Sequence, residues 1–345
     1  MESRELYNAG LQERRDAYRM CGVSVGTSMQ QAQLPAIKEV RPEYAALDAQ
    51  MLQDVLQRLD RAFRAFFRRV KAGQTPGYPR FKSRDRYNSF TFKQTGWNVT
   101  AGCLVIRGLG SLKVRWSRPL LGTVKTVTVK RDADAWYVTF SCVVDVADPV
   151  AEPALPAIGI DLGLEHFLST SDGEHVANPR YFRTGEDILA RRQQALARKK
   201  RGSARRKKAK LPVTKAHRKV RNQRRDFHHK TAQRLVQGHG LIAVEDLHIA
   251  NMARNPSLAK SISDAGWGQF IAILTQKAEE AAVVVIAVPP AGTSQCCSGC
   301  GRTALKGLSE RWHTCEHCGC SLQRDVNAAR NILARAGQAP QTSLV

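Results

Sequence analysis

Two pairs of cysteines near the end of the chain have the spacing of a metal site. Cys297 and Cys300 form one C-x-x-C pair, Cys315 and Cys318 form another, and fourteen residues separate the pairs. Each pair can place two thiolates on one ion, and four thiolates complete the closed tetrahedral shell of a structural Zn²⁺. The spacing predicts one structural zinc ion, with a redox-active disulfide pair as the less favoured alternative. No role is assigned to the neighbouring Cys296, Cys320, His313 and His317.

Three acidic residues stand at the ends of regular elements. Asp161 and Glu245 end short apolar strands, in the segments AIGIDLG and LIAVED, and Asp325 begins a helix. A carboxylate that ends an apolar strand is desolvated unless a cation neutralises it, so converging groups of this kind would bind Mg²⁺ or Mn²⁺. Two such ions about 3.5 to 4 Å apart can promote phosphodiester cleavage. Each residue alone also suits a turn or a helix cap, and Asp325 suits an N-cap.

The composition indicates a polyanionic partner. The formal net charge is +24 and the sequence pI is about 10.1, which favours binding that releases condensed counterions. With 43% hydrophobic residues, the chain can bury one or two cores. There is no apolar run of about eighteen residues and no apolar N-terminal signal stretch. The sequence therefore predicts a cytoplasmic protein that binds nucleic acid and no membrane.

A basic segment is the first candidate for that binding. Between Arg191 and Arg234 there are nineteen Lys or Arg residues, and Asp226 is the one acid. Such a segment is often solvated or disordered without a partner, but two basic helices would line a channel for a duplex. The predicted contacts in and around it are Lys199, Lys200, Arg205, Arg206, Lys207, Lys208, Arg221, Arg224 and Arg225.

Two features of the N-terminal half are weaker candidates. Apolar residues recur at three- and four-residue steps from Leu52 to Val70, which predicts an amphipathic helix. Gln50 and Gln53 on its other face could read adenine edges, although an ordinary solvated face is equally in keeping with the pattern. The turn-rich segment 73–87 interleaves aromatic and basic residues that could stack on bases and contact phosphates, or could form a plain basic loop. Its candidates are Tyr78, Arg80, Lys82 and Arg84.

The remaining elements must position these residues. Period-two runs between Ser89 and Val146 predict a small β-barrel or sandwich, and the Pro-rich segment 145–156 predicts a linker. Strands then alternate with helices, which predicts an α/β domain. Its later elements are predicted as a helix over 263–281, a strand over 282–288 and a helix over 325–336.

At this point the motifs match a family. The segments IGIDLG, VEDL, CSGCG and CEHCGCSLQRDVNAARNIL, in that order, closely resemble the RuvC-like nuclease domain of TnpB, the transposon-encoded RNA-guided DNA nucleases related to type V CRISPR effectors. The segment LQDVLQRLDRAFRAFFRRVKAG resembles the same family. The resemblance runs from about Leu6 onward.

The resemblance implies both a fold and an activity. It implies an RNase H-like (RuvC) nuclease domain with an inserted zinc ribbon, preceded by a β-barrel wedge domain that carries a helical recognition lobe. It makes Asp161, Glu245 and Asp325 the three catalytic carboxylates that hold two Mg²⁺ ions, and it gives the four cysteines the zinc. A guide RNA from the transposon end would pair with target DNA and supply most of the specificity. The oligomeric state is left open.

The same resemblance divides the chain into segments. They are a recognition lobe at 1–88, a wedge domain at 89–150, a first nuclease part at 151–292 with a basic helical insertion at 186–237, a zinc ribbon at 293–324, and the last nuclease part with the tail at 325–345. Family members have a first strand upstream of LYNAGLQERRDAY, with which this chain almost begins. The alternatives are a misplaced start codon, a truncated copy, or a barrel that closes differently, and an open barrel edge would weaken the holding of RNA and the reading of the target-adjacent motif.

Two other functions remain as alternatives. One is a guide-dependent DNA-binding protein that does not cleave, as a truncated or decayed copy would be. The other is a DNA transposase in the strict sense, which joins ends with a similar acidic triad. The basic insertion after the first strand, and the zinc ribbon between the second and third acids, favour the RuvC-type nuclease.

Overall fold

A computed structural model describes residues 2–100, 102–145, 155–304, 307 and 310–338. The chain divides into two units, Met1–Asp145 and Val146–Val345. Most of the predicted linker, residues 146–154, and the predicted tail from residue 339 onward lie outside the described residues. Within the described ranges, no helix is long and apolar enough to cross a membrane.

The N-terminal unit begins with helices. They are α1 (Glu2–Cys21), α2 (Thr27–Ala32), α3 (Leu34–Val40), α4 (Pro42–Ala45) and α5 (Ala49–Lys71). The predicted amphipathic helix is α5, and the Asp48 side chain caps it by accepting a hydrogen bond from the Gln50 amide. Its apolar stripe, which includes Leu52 and Leu59, packs against Leu11 of α1 in one buried cluster. Helix α5 is therefore held by core packing on one face and by its cap at the start.

Six strands follow in the same unit. They are β1 (Ser89–Phe92), β2 (Trp97–Thr100), β3 (Cys103–Ile106), β4 (Gly110–Lys113), β5 (Thr123–Asp132) and β6 (Ala135–Val143). They form two antiparallel sheets, β1-β5-β6 and β2-β3-β4, around one core that contains Phe92, Leu104 and Val127. Among the described strands no pairing joins the two sheets, which favours the sandwich over the barrel of the two predicted alternatives and leaves the predicted β-barrel wedge domain unconfirmed.

The C-terminal unit is an α/β domain, as predicted. Its elements are β7 (Ala157–Leu162), β8 (His166–Thr170), β9 (His175–Ala177), α6 (Tyr181–Ala197), α7 (Ala204–Gly238), β10 (Leu241–Glu245), α8 (Ile249–Met252), α9 (Pro256–Ala265), α10 (Trp267–Glu280), β11 (Val284–Val288), β12 (Trp312–Thr314), β13 (Ser321–Gln323) and α11 (Arg324–Gln338). The main sheet has the order β11-β10-β7-β8-β9. Strands β11, β10 and β7 are parallel, whereas β8 and β9 are antiparallel additions.

Helices cover both faces of this sheet, which explains why its strands are almost continuously apolar. On one face Ile160 and Val244 pack with Phe270 of α10. On the other face Ala243 packs with Ile332 of α11. A Cβ atom at Gly159 would lie 2.1 Å from the carbonyl oxygen of Ala329, so the closeness of β7 to α11 requires glycine there.

Two predicted element boundaries are wrong for identifiable reasons. The helix predicted over 263–281 is two helices, α9 and α10, because Gly266 has a left-handed backbone with φ +68°. The strand predicted from residue 282 begins at Val284, since Ala282 also has a positive φ of 53°. Helix α11 begins at Arg324, so Asp325 lies within its first turn.

Candidate active site and metal centre

Three elements of the C-terminal unit bring the predicted carboxylates together. Strands β7 and β10 are parallel neighbours whose register pairs Ile160 with Val244, so the next residues, Asp161 and Glu245, lie at the same edge of the sheet. Helix α11 packs on β7 and carries Asp325, whose Oδ2 atom lies 4.0 Å from a Cβ atom built at Gly163. The sheet register brings Asp161 and Glu245 to one end of the sheet, and the packing of α11 on β7 brings Asp325 to the same place.

The charges of these groups act on one another. Burial, and then the nearby carboxylates of Glu245 and Asp325, raise the pKa of Asp161 to about 8, while the Arg324 cation opposes the rise. Burial also raises the pKa of Glu245, and a hydrogen bond from Thr293 opposes that rise. The ionised carboxylates are therefore disfavoured here, chiefly by burial, unless a positive charge compensates them. A divalent cation would supply the missing charge, so this set of oxygen donors suits Mg²⁺ or Mn²⁺.

The spacing of the acids differs from that of the cysteines. Among the described residues, the four cysteines form a compact cluster of possible metal ligands. Their ligand atoms all lie within 4.8 Å of one another. The three carboxylates do not form such a set, so their oxygens are more widely spread than the ligands of one tight site.

Sequence reasoning missed Thr293, which contacts Glu245 directly. The Thr293 hydroxyl donates a hydrogen bond of 2.5 Å to Oε1 of Glu245. Thr293 is 3% exposed, and its carbonyl oxygen accepts a hydrogen bond from the buried Asn331 of α11. The same Asn331 amide also donates to the Cys296 carbonyl. The contact spans 48 residues of sequence, and no local motif marks it.

The predicted zinc ligands lie together. The Sγ atoms of Cys297 and Cys318 are 3.6 Å apart, as are those of Cys300 and Cys315. A tetrahedron with Zn–S distances of about 2.3 Å has S···S edges of about 3.8 Å, so the four cysteines could hold one zinc ion. Backbone amides of Cys318 and His317 lower the pKa of the Cys315 thiol to about 6, which favours the thiolate that a metal needs.

The cysteine cluster is fastened to helix α11. Asn327 is fully buried, and its side chain donates to the Cys296 carbonyl and accepts from the Ser298 amide. Because Asn327 lies two residues after Asp325, the cysteine-bearing loop fixes the turn of α11 that carries this acid. The extra thiol of Cys296 donates to the Gly301 carbonyl at 3.1 Å.

Comparisons with known proteins decide the family. A family model described as "Probable transposase" matches residues 139–256, and one described as "Cas12f1-like, TNB domain" matches residues 267–332. The "Putative RNA-guided DNA endonuclease InsQ" of Escherichia coli K12 is 34% identical over an alignment of 308 residues that covers 84% of this chain and 75% of that protein. A protein from Streptomyces pristinaespiralis with the same description is 34% identical over 82% of this chain and 70% of its own length. "TnpB-like protein L770" of a mimivirus is 27% identical over 64% of this chain and 45% of its own length.

The chain belongs to the TnpB family. Its fold is similar to the protein in the cryo-EM structure of a Cas12f1–sgRNA–target DNA complex, with a TM-score of 0.60, 18% identity, and coverage of 96% of this chain and 80% of that one. It is also similar to the RNA-guided endonuclease Cas-phi3, with a TM-score of 0.52 and 10% identity over 99% of this chain and 91% of that one. At these identities the likeness concerns the fold.

Most of the predicted basic contacts of this family member are exposed, whereas Arg206 and Arg224 are partly buried and bonded to other parts of the protein. Arg206 donates to the carbonyls of Leu196 and Lys199, which closes the turn between α6 and α7. Arg224 pairs with the buried Asp264 at 3.4 Å. For these two residues the contacts favour a structural role. The others are exposed: Lys199, Lys200, Arg205, Lys207, Lys208, Arg221 and Arg225.

The candidates in the N-terminal unit also differ among themselves. Gln50 accepts hydrogen bonds from the backbone amides of residues 93–95 and donates to the Thr95 hydroxyl, so most of its amide is engaged in a turn. Gln53 is exposed. Tyr78 is 44% exposed and packs edge-on against Phe63 and Phe66. Arg80 and Arg84 are exposed, whereas the backbone of Lys82 is held by the Asn8 side chain.

Proposed function

We propose that this protein is an RNA-guided DNA endonuclease that hydrolyses phosphodiester bonds of target DNA in a divalent-metal-dependent reaction. The observation that carries the proposal is the convergence of Asp161, Glu245 and Asp325 from β7, β10 and α11, where burial and then the two neighbouring acids raise the pKa of Asp161 to about 8. The names of the curated relatives agree with it.

Each carboxylate has its own support in the fold. Hydrogen-bonded neighbouring strands fix Asp161 and Glu245, and Thr293 orients the Glu245 carboxylate. Asp325 is set by α11, which Asn327 ties to the cysteine loop. These three residues would hold two Mg²⁺ or Mn²⁺ ions. Two ions suit these carboxylates because their oxygens are more widely spread than the ligands of a single ion in a tight site. When bound, the ions would supply Lewis-acid activation of water and of the leaving 3′ oxygen.

The guide and the target would be held by the basic helices. Helix α7 has 35 residues and is therefore about 52 Å long, and most of its Lys and Arg side chains are exposed. Such a row of charges matches the phosphates of a duplex and gives strongly salt-dependent binding. We propose that the duplex is formed by a guide RNA from the transposon end and a target DNA strand, with base pairing supplying the specificity.

The first experiment is the Asp161→Ala variant. RNA that copurifies with the protein is sequenced, rebuilt as a guide and used with a matched DNA target in Mg²⁺. We expect the wild-type protein to cut the target and Asp161→Ala to lose cutting by at least about 10³-fold, while both bind guide and target equally. Asp246→Ala is a matched control, since Asp246 is an exposed acid beside Glu245.

The results separate the three functions. Equal cutting by Asp161→Ala would contradict the proposed site. A wild-type protein that binds guide and matched target but never cuts in Mg²⁺ or Mn²⁺ would be a guide-dependent binding protein. Strand-transfer products with transposon ends would identify a transposase in the strict sense, in agreement with the description of the family model that matches residues 139–256.

A further inference from the structure

A cavity of about 420 Å³ lies in the C-terminal unit next to the proposed nuclease site. Its wall is formed by the turn after β7, the start of α6, helix α9 and the segment before β12. Three arginines line it, namely Arg180, Arg183 and Arg311, together with two acids, Glu165 and Asp264. A cavity of this size with convergent guanidinium groups is large enough for part of a nucleotide.

The two acids are already engaged. Asp264 accepts hydrogen bonds from the backbone amides of Phe182 and Arg183 and pairs with Arg224. Glu165 pairs with Arg311 at 3.2 Å. In the described parts of the chain, no carboxylate lies within 4.0 Å of the Arg180 or the Arg183 guanidinium. The cavity therefore holds two arginines whose charge is not paired.

The two unpaired arginines are held in place by uncharged groups. One Nη2 hydrogen bond joins Arg180 to the Leu164 carbonyl at 3.4 Å, and another joins Arg183 to the Ser261 hydroxyl at 2.7 Å. A guanidinium has five N–H donors, so each side chain keeps donors for a further acceptor. Planar guanidinium groups bind phosphate oxygens through paired hydrogen bonds, which makes phosphate the matching ligand.

The cavity and the carboxylates share structural elements. Leu164 directly follows Gly163, the position whose Cβ atom would lie 4.0 Å from Oδ2 of Asp325. On the other side, the Arg311 carbonyl accepts a hydrogen bond from the Arg324 amide, and Arg324 precedes Asp325. A phosphate in the cavity would thus belong to a strand that passes the carboxylates.

We propose that Arg180 and Arg183, with Arg311, form a subsite for a phosphate of the DNA strand being cut, close to the scissile bond. The inference rests on the proposed function and adds to it a fixed point for the substrate strand. The DNA strand is favoured over the guide RNA because the cavity wall continues into the elements that carry Asp161 and Asp325, where a strand must lie to be cut. Arg180 and Arg183 are positioning residues that would hold the strand in register.

The test uses the double variant Arg180→Gln/Arg183→Gln in the guide-loaded protein. We expect its single-turnover cleavage rate to fall at least about tenfold, while guide-RNA affinity and matched-duplex affinity stay within about twofold. Arg254→Gln is the control, because Arg254 is an exposed arginine of the same unit outside the cavity. Thermal unfolding and zinc content show whether the double variant is folded.

A chemical substitution in the DNA gives the second, more specific readout. Phosphates of the substrate strand are replaced one at a time by neutral methylphosphonates. In the wild-type protein we expect one position near the cut to lower the rate about tenfold, and in the double variant the same replacement should have no further effect. Additive losses at every position would overturn the subsite.

A binding measurement keeps the two proposals distinguishable. In the Asp161→Asn background, the guide–target complex is titrated with a fluorescent single-stranded oligonucleotide, and the double variant should weaken its binding at least about fivefold. A wild-type protein that does not cut contradicts the nuclease proposal, and this titration still decides the subsite. Unchanged oligonucleotide affinity overturns the subsite, and so does a loss of guide-RNA affinity, which would assign the cavity to the guide.

Discussion

The Thr293 hydroxyl donates a 2.5 Å hydrogen bond to Oε1 of Glu245, and it thereby joins the end of β10 to the loop that leads into the cysteine cluster. The side-chain amide of Asn331 in α11 donates a hydrogen bond to the Thr293 carbonyl. The carboxylate of Glu245 is thus oriented by a residue that lies 48 positions later in the chain.

Replacing Thr293 should change the metal requirement. Thr293→Val keeps the shape of the side chain but removes the hydroxyl, so Glu245 loses its hydrogen bond. We expect the Mg²⁺ concentration for half-maximal cleavage to rise about 10- to 100-fold, the usual effect of removing a hydrogen-bond partner of a metal ligand. Thr293→Ser keeps the hydroxyl and should stay within about threefold of wild type. Equal Mg²⁺ requirements for the Val and Ser variants would contradict the positioning role.

The raised pKa of Asp161 has a consequence for stability. An unfolded Asp titrates near pH 3.9, whereas the folded carboxyl titrates near 8, so the folded state retains a proton that the unfolded state has lost between these values. Stability from this group is therefore present below about pH 4 and is lost as the pH rises to about 8.

Asp161→Asn should remove this pH-dependent loss. In magnesium-free buffer with zinc retained, we expect the variant to unfold at a temperature at least about 2 °C above wild type at pH 8.5, with a smaller difference at pH 5. Added Mg²⁺ should stabilise the wild-type protein more than the variant, because binding to the folded state adds stability. A variant that is less stable than wild type at pH 8.5 without Mg²⁺ would show that the folded protein does not disfavour the ionised Asp161 carboxylate.

The approach of the four cysteines, and the placement of Asp161 and Glu245 at one end of the sheet, could be predicted because local sequence carries their signals. Four thiols in two C-x-x-C pairs have a fixed geometric meaning, and a strand that ends on an acid points to one edge of a sheet. The partners of these residues carry no such signal. Thr293 meets Glu245 across 48 residues, and its position depends on how the loop after β11 packs against α11.

Charge alone was a weaker guide to contact residues. Arg206, Arg224 and Lys207 look alike in a basic segment, yet the first closes a helix turn, the second pairs with buried Asp264, and the third is exposed. The split of the predicted helix 263–281 likewise depended on one backbone angle, the positive φ of Gly266, which ends α9. In each case the sequence pattern allowed more than one structure, and tertiary packing determined which one formed.

Exposed and engaged cations of α7 should therefore respond differently to substitution. Lys207→Gln/Lys208→Gln should lower the salt dependence of guide–target binding, reducing the slope of log affinity against log salt by about 1 to 2. Arg206→Gln should instead lower the unfolding temperature, since two carbonyls lose their donor. Affinities measured between 50 and 300 mM salt, with unfolding curves for each variant, check both. An unchanged salt slope in the double Lys variant would show that these two residues do not contact the nucleic-acid phosphates.

The cysteine cluster should act as a brace for α11. Cys315→Ser removes one of four thiolates, and we expect the purified variant to contain less than about 0.2 equivalents of zinc and to cleave at least about tenfold more slowly. The reason is that the cysteine-bearing loop, which is bonded to Asn327 and Asn331, would lose the zinc ion that holds it together. Cys296→Ser is the control, since this thiol is outside the four-sulfur set, and it should keep one equivalent of zinc. Full cleavage by a zinc-free Cys315→Ser protein would show that cleavage does not depend on the zinc ribbon.

The distance between Asp161 and Asp325 should depend on how closely α11 approaches β7. A Cβ atom at Gly159 would meet the Ala329 carbonyl oxygen at 2.1 Å, and neither backbone can yield without moving the helix. Gly159→Ala should therefore destabilise the protein by about 3 kcal/mol or more, which corresponds to a fall of roughly 6 to 12 °C in unfolding temperature. Because Asp325 moves with α11, the folded fraction should also need more Mg²⁺ for cleavage.

Gly268→Ala is the matched control: its Cβ atom would make an ordinary 3.6 Å contact with Ile249, and alanine favours the helix. If Gly159→Ala unfolds at the wild-type temperature with an unchanged Mg²⁺ requirement, close packing of α11 on β7 does not set the separation of the two carboxylates.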